Sequence, residues 1–231
     1  MKRGPKPKGK VCIKWSQEFA YAIGLLVSDG CLSKDGRHID LTSKDKDQLV
    51  TFNKCLDITA TISIKFSGSG NTAYHVQFGD VLFYKFLLGI GLSPAKSKTI
   101  SQVLIPKLYF FDFLRGYFDG DGCSYSFYDS VFRNSFRFYI SFASGSIKYI
   151  NWLRNKLSVY AKIKGHICRQ SNSSNFQLKY SKKEAIILAK KMYYRGGLVC
   201  LKRKNLKINE SLRIIGLSRG GEIGKHASFR S

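Results

Sequence analysis

Two segments of the chain carry long apolar runs and read as helices: SQEFAYAIGLLVSDG (residues 16–30) and PKLYFFDFLRGYFDGDG (residues 106–122). Ser16 is placed to cap the first and Pro106 to open the second, and a glycine after each final aspartate serves as a stop. Elsewhere the period changes to two. In TISIKFSGSGNTAYHVQF (61–78), Ile62, Ile64, Phe66, Val76 and Phe78 alternate with Thr61, Ser63, Lys65, His75 and Gln77, the pattern of two strands around a Gly/Ser/Asn turn. AKIKGHICRQSNSSNFQLKY (161–180) repeats the design, with Lys162, Lys164, His166, Gln177 and Lys179 as its polar set. Each hairpin leads into a further helical segment, VLFYKFLLGIGL (81–92) and KKEAIILAKKMYY (182–194), and then into a Lys-x-Lys step, 96–98 and 202–204.

These elements come in two matching rounds. AIGLLVSDGC (22–31) lies over LRGYFDGDGC (114–123), pairing Gly24 with Gly116, Asp29 with Asp121, Gly30 with Gly122 and Cys31 with Cys123. After a short insertion in the second round, IDLTSKDKDQLVTFNKCL (39–56) lies over ISFASGSIKYINWLRNKL (140–157) without a gap. The expected fold class is α+β, with two pseudo-symmetric αββαββα halves in one chain. The expected organisation is a basic arm over 1–12, a first half over 13–105, a second half over 106–212, and a basic Gly/Ser-rich tail over 213–231.

Charge narrows the partners. Thirty-nine Lys and Arg against 15 Asp and Glu give a formal net charge of +24, while 44% hydrophobic and 14% aromatic content supplies a core. A folded core bearing that charge repels itself, and the natural partner is a polyanion whose counterions it displaces, with nucleic acid foremost. The apolar runs fall short of the ~20 residues a bilayer span needs, and the cations are spread along the chain instead of gathering beside an amphipathic helix, so no membrane partner is expected. The opening MKRGPKPKGK has no apolar stretch of the signal-peptide kind, and the expectation is a soluble intracellular protein of a bacterial cytoplasm or an organelle. The six cysteines contain no C-x-x-C pair and the four histidines lack zinc spacing; the cysteines read as reduced, small apolar fillers.

The two helices ending in Asp-Gly carry the chemistry. Asp29 and Asp121 would sit at helix C-termini, where the macrodipole and the orphan carbonyls are already electronegative, so a positive group must compensate. Mg²⁺ suits such a site, since it takes carboxylate and carbonyl oxygens and keeps waters for substrate phosphates. Gly24 and Gly116, inside the helices, each cost about 1 kcal/mol relative to alanine. Close crossing of the two helices explains both glycines and brings the two aspartates to one end.

In these residues the chain resembles the LAGLIDADG homing endonucleases in their single-chain, two-motif form, over about residues 13–207. The resemblance implies a monomer with the motif helices packed at the centre and two saddle-like antiparallel sheets lying along a long double-stranded DNA target, which is cleaved on both strands. It implies that Asp29 and Asp121 bind the metal with the backbone carbonyls of Ser28 and Gly120, Mg²⁺ or Mn²⁺ being productive and Ca²⁺ a non-productive substitute. It also implies a basic residue late in each half near the cleaved phosphates, for which Lys98 and Lys204 are the candidates, with Lys96 and Lys202 two residues away. One departure stands out: the second motif has Asp119 where the first has Val27, and Asp119 is not assigned to the metal.

Metal between the carboxylates would polarise the scissile phosphate and activate water, with the lysines stabilising transition-state charge and no side-chain nucleophile required. DNA contact is expected from Lys65, Lys162, Lys164, Arg169 and Lys179, with Gln77 and Gln177 as base readers in a major groove. The arm, with five cations in residues 1–10, would follow a minor groove or add counterion release. Two further classes fit the same charge: a non-cleaving DNA-binding regulator, and an RNA-binding intron splicing helper. Retained aspartates beside phosphates argue against the first. An intein origin is not expected, since no nucleophilic residue opens the chain and no His-Asn pair ends it.

Overall fold

The structure, a computed structural model, describes residues 9–66, 72–169 and 174–216. The turns expected between the strands of each hairpin, most of the basic arm and nearly all of the tail therefore lie outside the described residues. The first half runs α1 (Gln17–Ser28), β1 (Gly30–Leu32), β2 (His38–Ser43), α2 (Lys46–Leu56), β3 (Ile62–Phe66), β4 (Thr72–Gly79) and α3 (Val81–Gly89). The second runs α4 (Phe110–Asp121), β5 (Gly122–Tyr128), β6 (Phe136–Ser144), α5 (Ile147–Ala161), β7 (His166–Arg169), β8 (Phe176–Tyr180) and α6 (Lys182–Met192), and adds α7 (Lys202–Ile214). Each half builds one four-stranded antiparallel sheet, ordered β1-β2-β4-β3 and β5-β6-β8-β7. The α+β class and the internal duplication are as the sequence predicts; α7 is an addition.

Alternation decides which face of each sheet the helices cover. Ile39 and Leu41 of β2 pair with Phe78 and Val76 of β4, and all four are buried. Phe138, Ile140 and Phe142 of β6 and Leu178 and Tyr180 of β8 do the same in the second sheet. Ile64 and Phe66 share the inward parity of β3, yet they extend past the helices and stay 55% and 75% exposed. The outward faces begin at Cys31 and Cys123, each two residues beyond a motif aspartate. These two thiols and Cys12 are exposed and Cys55, Cys168 and Cys200 are partly so, which corrects their reading as buried fillers: for Cys31, Cys123 and Cys168 outward strand parity overrides the apolar character of the thiol.

At the centre α1 and α4 cross in contact. Phe19 through Val27 are all buried, since α1 meets α4 on one side and its own sheet and α2 on the others. A Cβ on Gly24 would stand 2.1 Å from the Phe113 carbonyl oxygen and 2.6 Å from the Tyr117 nitrogen, and one on Gly116 would stand 2.0 Å from the Tyr21 oxygen. The backbones approach too closely for any side chain at either position. Ser16 caps α1 as expected, its Oγ accepting from the Phe19 amide at 3.0 Å. Pro106 instead precedes a short 3-10 turn, Lys107–Tyr109, that leads into α4. Residues 10 and 11, placed by sequence in the arm, are docked: their amides donate to Asp80 Oδ2 at 2.6 and 2.9 Å.

Candidate metal centre and nucleic-acid interface

Crossing at the two glycines carries both motif ends to one place. Asp29 is the C-cap of α1 and Asp121 the last residue of α4. A Cβ on Gly120 would lie 2.5 Å from Asp29 Oδ2 and 2.0 Å from Ser28 Oγ, so the last turn of one helix rests on the aspartate of the other. Gly30 and Gly122 do not adopt the left-handed conformation expected of helix-stop glycines. They are needed for space instead, because a Cβ would meet the Leu26 oxygen at 2.5 Å and the Phe118 Cα at 2.6 Å.

Burial pushes the Asp29 carboxyl up to about 6, and repulsion from Asp121 adds to the shift, against Lys204, Lys96 and the Ser28 hydroxyl. Asp121 as a residue is exposed, but desolvation by the surrounding atoms raises its carboxyl too, with Lys96 and then Lys204 opposing. Each motif aspartate is therefore lowered most by the lysine of the opposite half. Lys204, in the first turn of α7, donates its ammonium to the carbonyls of Phe118, Gly120 and Gly122 at 2.8, 2.9 and 2.7 Å. Lys96 is buried and donates to the carbonyls of Gly30 and, at 3.5 Å, Ser28. The two ammonium groups neutralise the electronegative helix ends that the sequence required something to neutralise.

Lys96 holds this position in the first half, and Lys98, the candidate read from sequence, is exposed and makes no hydrogen bond to the motif end. The reason lies in local geometry. In the second half the Lys-x-Lys step opens an α-helix; in the first it forms a 3-10 turn behind Ala95 in a left-handed conformation (φ 54°), which aims the first lysine inward. Lys202 is exposed. Asp119 is engaged elsewhere, its Oδ2 accepting from the Tyr21 hydroxyl at 2.7 Å and the Leu201 amide at 2.6 Å.

The residues present fit a hard divalent cation. Two carboxylates made costly by burial and proximity converge with carbonyl oxygens of Ser28 and Gly120, and a carbonyl that accepts from lysine retains a second lone pair. Beside Asp121 lies a cleft of about 210 Å³ lined by Ser28, Lys96, Tyr117, Ser144 and Gly145 among others.

The outward sheet faces collect some of the expected DNA contacts. Lys65 and Gln77 share the outward face of the first sheet, and Gln177 and Lys179 that of the second. Lys162, Lys164 and Arg169 are not on it. Lys162 is the left-handed C-cap of α5, Lys164 precedes the first residue of β7, and Arg169 pairs with Phe176 at inward parity, its guanidinium over that ring. A strand starting later than the alternation suggested accounts for the two lysines, and Arg169 falls on the inward parity of that same alternation. The outward aromatic residues Tyr125, Phe127 and Tyr139 were not singled out from sequence, although the alternation in CSYSFY and FRFYIS was there to show them.

Two helices crossing at paired glycines, each feeding one antiparallel sheet, define the single-chain LAGLIDADG fold, and solved structures with this arrangement match most of the chain. The homing endonuclease I-WcaI, bound to its DNA recognition sequence, superposes with a TM-score of 0.58 at 16% identity, over 90% of this chain and 95% of that one. The LAGLIDADG meganuclease I-AabMI bound to uncleaved DNA gives 0.56 at 13% identity, over 85% and 89%. Full-length DUF199/WhiA from Thermatoga maritima gives 0.55 at 15% identity, over 92% of this chain and 65% of that one. No family model and no curated protein matches the sequence. Among the described residues no helix is long and apolar enough to cross a membrane.

Proposed function

We propose that this protein is a site-specific endonuclease that acts as a monomer and hydrolyses both strands of a long duplex DNA target with a divalent cation. The observation that carries the reading is the convergence of Asp29 and Asp121 at the contact of two helix C-termini, each end held by a lysine of its own half. Asp29 and Asp121, with the carbonyls of Ser28 and Gly120, would hold Mg²⁺ or Mn²⁺. A cation there supplies polarisation of the phosphate, an attacking water of lowered pKa and neutralisation of the departing 3′ oxygen. Lys204 and Lys96, in place of Lys98, stabilise negative charge on the phosphate oxygens as it develops. No side-chain nucleophile is required, and one chain supplies both carboxylates. The charge of +24 and the polar outward faces support duplex DNA as the polyanion.

A non-cleaving DNA-binding regulator on this scaffold is the second reading, favoured by the lysines already occupying the carbonyls and by the WhiA likeness. One experiment separates them. Duplexes selected for binding from a randomised library are incubated with the protein and Mg²⁺; we expect cleavage by the wild type, and bound but intact DNA with Asp29→Asn or Asp121→Asn. Cleavage by either variant overturns the assignment of that aspartate to the metal, and binding without cleavage by the wild type overturns the nuclease reading in favour of the regulator. Stronger binding to structured RNA than to duplex DNA at matched salt would point to a splicing helper.

A further inference from the structure

The outward faces of the two sheets differ in kind. In the first, Asp40, Thr42, His75 and Gln77 make a polar surface. In the second, Tyr125 of β5 stands directly opposite Tyr139 of β6, with Phe127 two residues along. The rings are nearly parallel: Tyr125 and Tyr139 lie 5.0 Å apart at 23°, Tyr125 and Phe127 6.4 Å apart at 0°, and Phe127 and Tyr139 6.1 Å apart at 22°. Lys179 of β8 sets its ammonium 4.3 Å from the Tyr139 centroid and 5.1 Å from that of Tyr125. Phe127 is 48% exposed, and the inward positions of β6 already fill the core. These rings hold no core together.

A polyanion fits this face, because it continues the surface carrying Gln177 and Lys179 in a chain of charge +24. The ring geometry chooses the form of that polyanion. A platform for unpaired bases offers free ring faces. Here the rings lie parallel beside one another with the Lys179 ammonium over the two tyrosines, so the most exposed apolar group is Phe127, flanked by the C–H edges of Tyr125 and Tyr139. In the major groove of a duplex the apolar group that meets such an edge is the C5-methyl of thymine, which the other three bases lack.

We propose that Tyr125, Phe127 and Tyr139 form an apolar ridge that selects thymine methyl groups in the half of the duplex lying along the second sheet, with Lys179 braced across the rings against a nearby acceptor. The first sheet, lacking such a ridge, reads its half through polar contacts alone. The inference rests on the reading of this protein as a duplex-DNA binder, but not on cleavage.

The test is a binding selection from a randomised duplex library, followed by resynthesis of a selected clone with deoxyuridine at each thymine in turn. That swap removes only the methyl group and needs no protein variant. We expect one half of the site to be enriched in thymine, and the swap there to weaken binding about three- to fivefold per contacted methyl. In Tyr125→Ser/Phe127→Ser the same swaps cost nothing, while swaps in the other half behave as in the wild type. Equal affinity for thymine and uracil throughout overturns the ridge while leaving duplex binding intact, as does a swap cost unchanged in the variant. Failure to select any duplex overturns the DNA-binding reading and the ridge with it.

Discussion

Asp29 shows how a side chain unfavourable to the fold can be the one a proposed metal site calls for. Its carboxyl is raised from 3.8 to about 6, so the folded state holds the proton more tightly than the unfolded chain does. The associated stability is fully present below the unfolded value and is lost as pH rises through about 6. Asp45 beside Arg203 is shifted downward and contributes the opposite trend, so the useful comparison is wild type against variant. In chelator, Asp29→Asn should gain thermal stability over the wild type at about pH 7.5 and little at about pH 4. Mg²⁺ should raise the wild-type midpoint at the higher pH and leave the variant nearly unmoved. Calorimetric scans at both values check this, and an equal Mg²⁺ shift in the variant would remove Asp29 from the metal. The lysines give a second contrast. Lys96→Met leaves the Gly30 carbonyl without its donor and should cost about 1–3 kcal/mol of stability, with a large loss of cleavage. Lys98→Met, at an exposed position, should stay within about 0.5 kcal/mol in denaturant titration. A larger loss of cleavage from Lys98 than from Lys96 would reverse the assignment made from geometry.

At the scale of elements, the crossing of α1 and α4 sets everything else. Alanine at Gly24 gains about 1 kcal/mol of helix propensity, but its Cβ would meet backbone atoms at 2.1 and 2.6 Å that no rotamer change can move. The helices must separate, so Gly24→Ala should be destabilised by about 1–3 kcal/mol or more and should lose cleavage more completely than stability, because parting the helices parts the aspartates. Urea unfolding and a cleavage assay on the same preparation test both. This much was legible in sequence: Gly24 and Gly116 recur in one context, and steric demand leaves a mark that pattern reading can find. Register of a single ammonium leaves none, since Lys96 and Lys98 differ only by the 3-10 turn behind Ala95. Helix α7 escaped for another reason. KRKNLKINESLRI buries only Ile208, Ser211 and Leu212, too thin a stripe to announce a helix, and tertiary contact holds it where Lys204 can reach α4. Likewise the alternation through Lys162 and Lys164 resembles a strand, but the left-handed turn at Lys162 and Gly165 delays β7 until His166.

Across the whole molecule, pseudo-symmetry of the backbone and asymmetry of the surface make different demands on a target. The proposed metal centre needs the two halves alike, and around it aspartate, carbonyl and lysine recur on both sides of the crossing. The outward faces share no such constraint, and one is polar while the other carries aromatic residues and Lys179. Phosphate contacts should therefore be nearly symmetric, with steep salt dependence: six to ten neutralised phosphates would lose about 10³–10⁵ in affinity between about 50 and 200 mM salt. Base contacts should not be symmetric. Palindromes built from either half of a selected site keep every phosphate but present the wrong bases to one sheet. Both should bind at least about tenfold more weakly than the parent, because each mismatched base pair costs about 1–3 kcal/mol. Their salt slopes should match that of the parent, since the slope counts phosphates and not bases. Titrating the three duplexes at several salt concentrations reads both quantities at once. A palindrome bound as tightly as the parent would mean that the two faces read alike, and that the difference between their side chains plays no part in choosing the target.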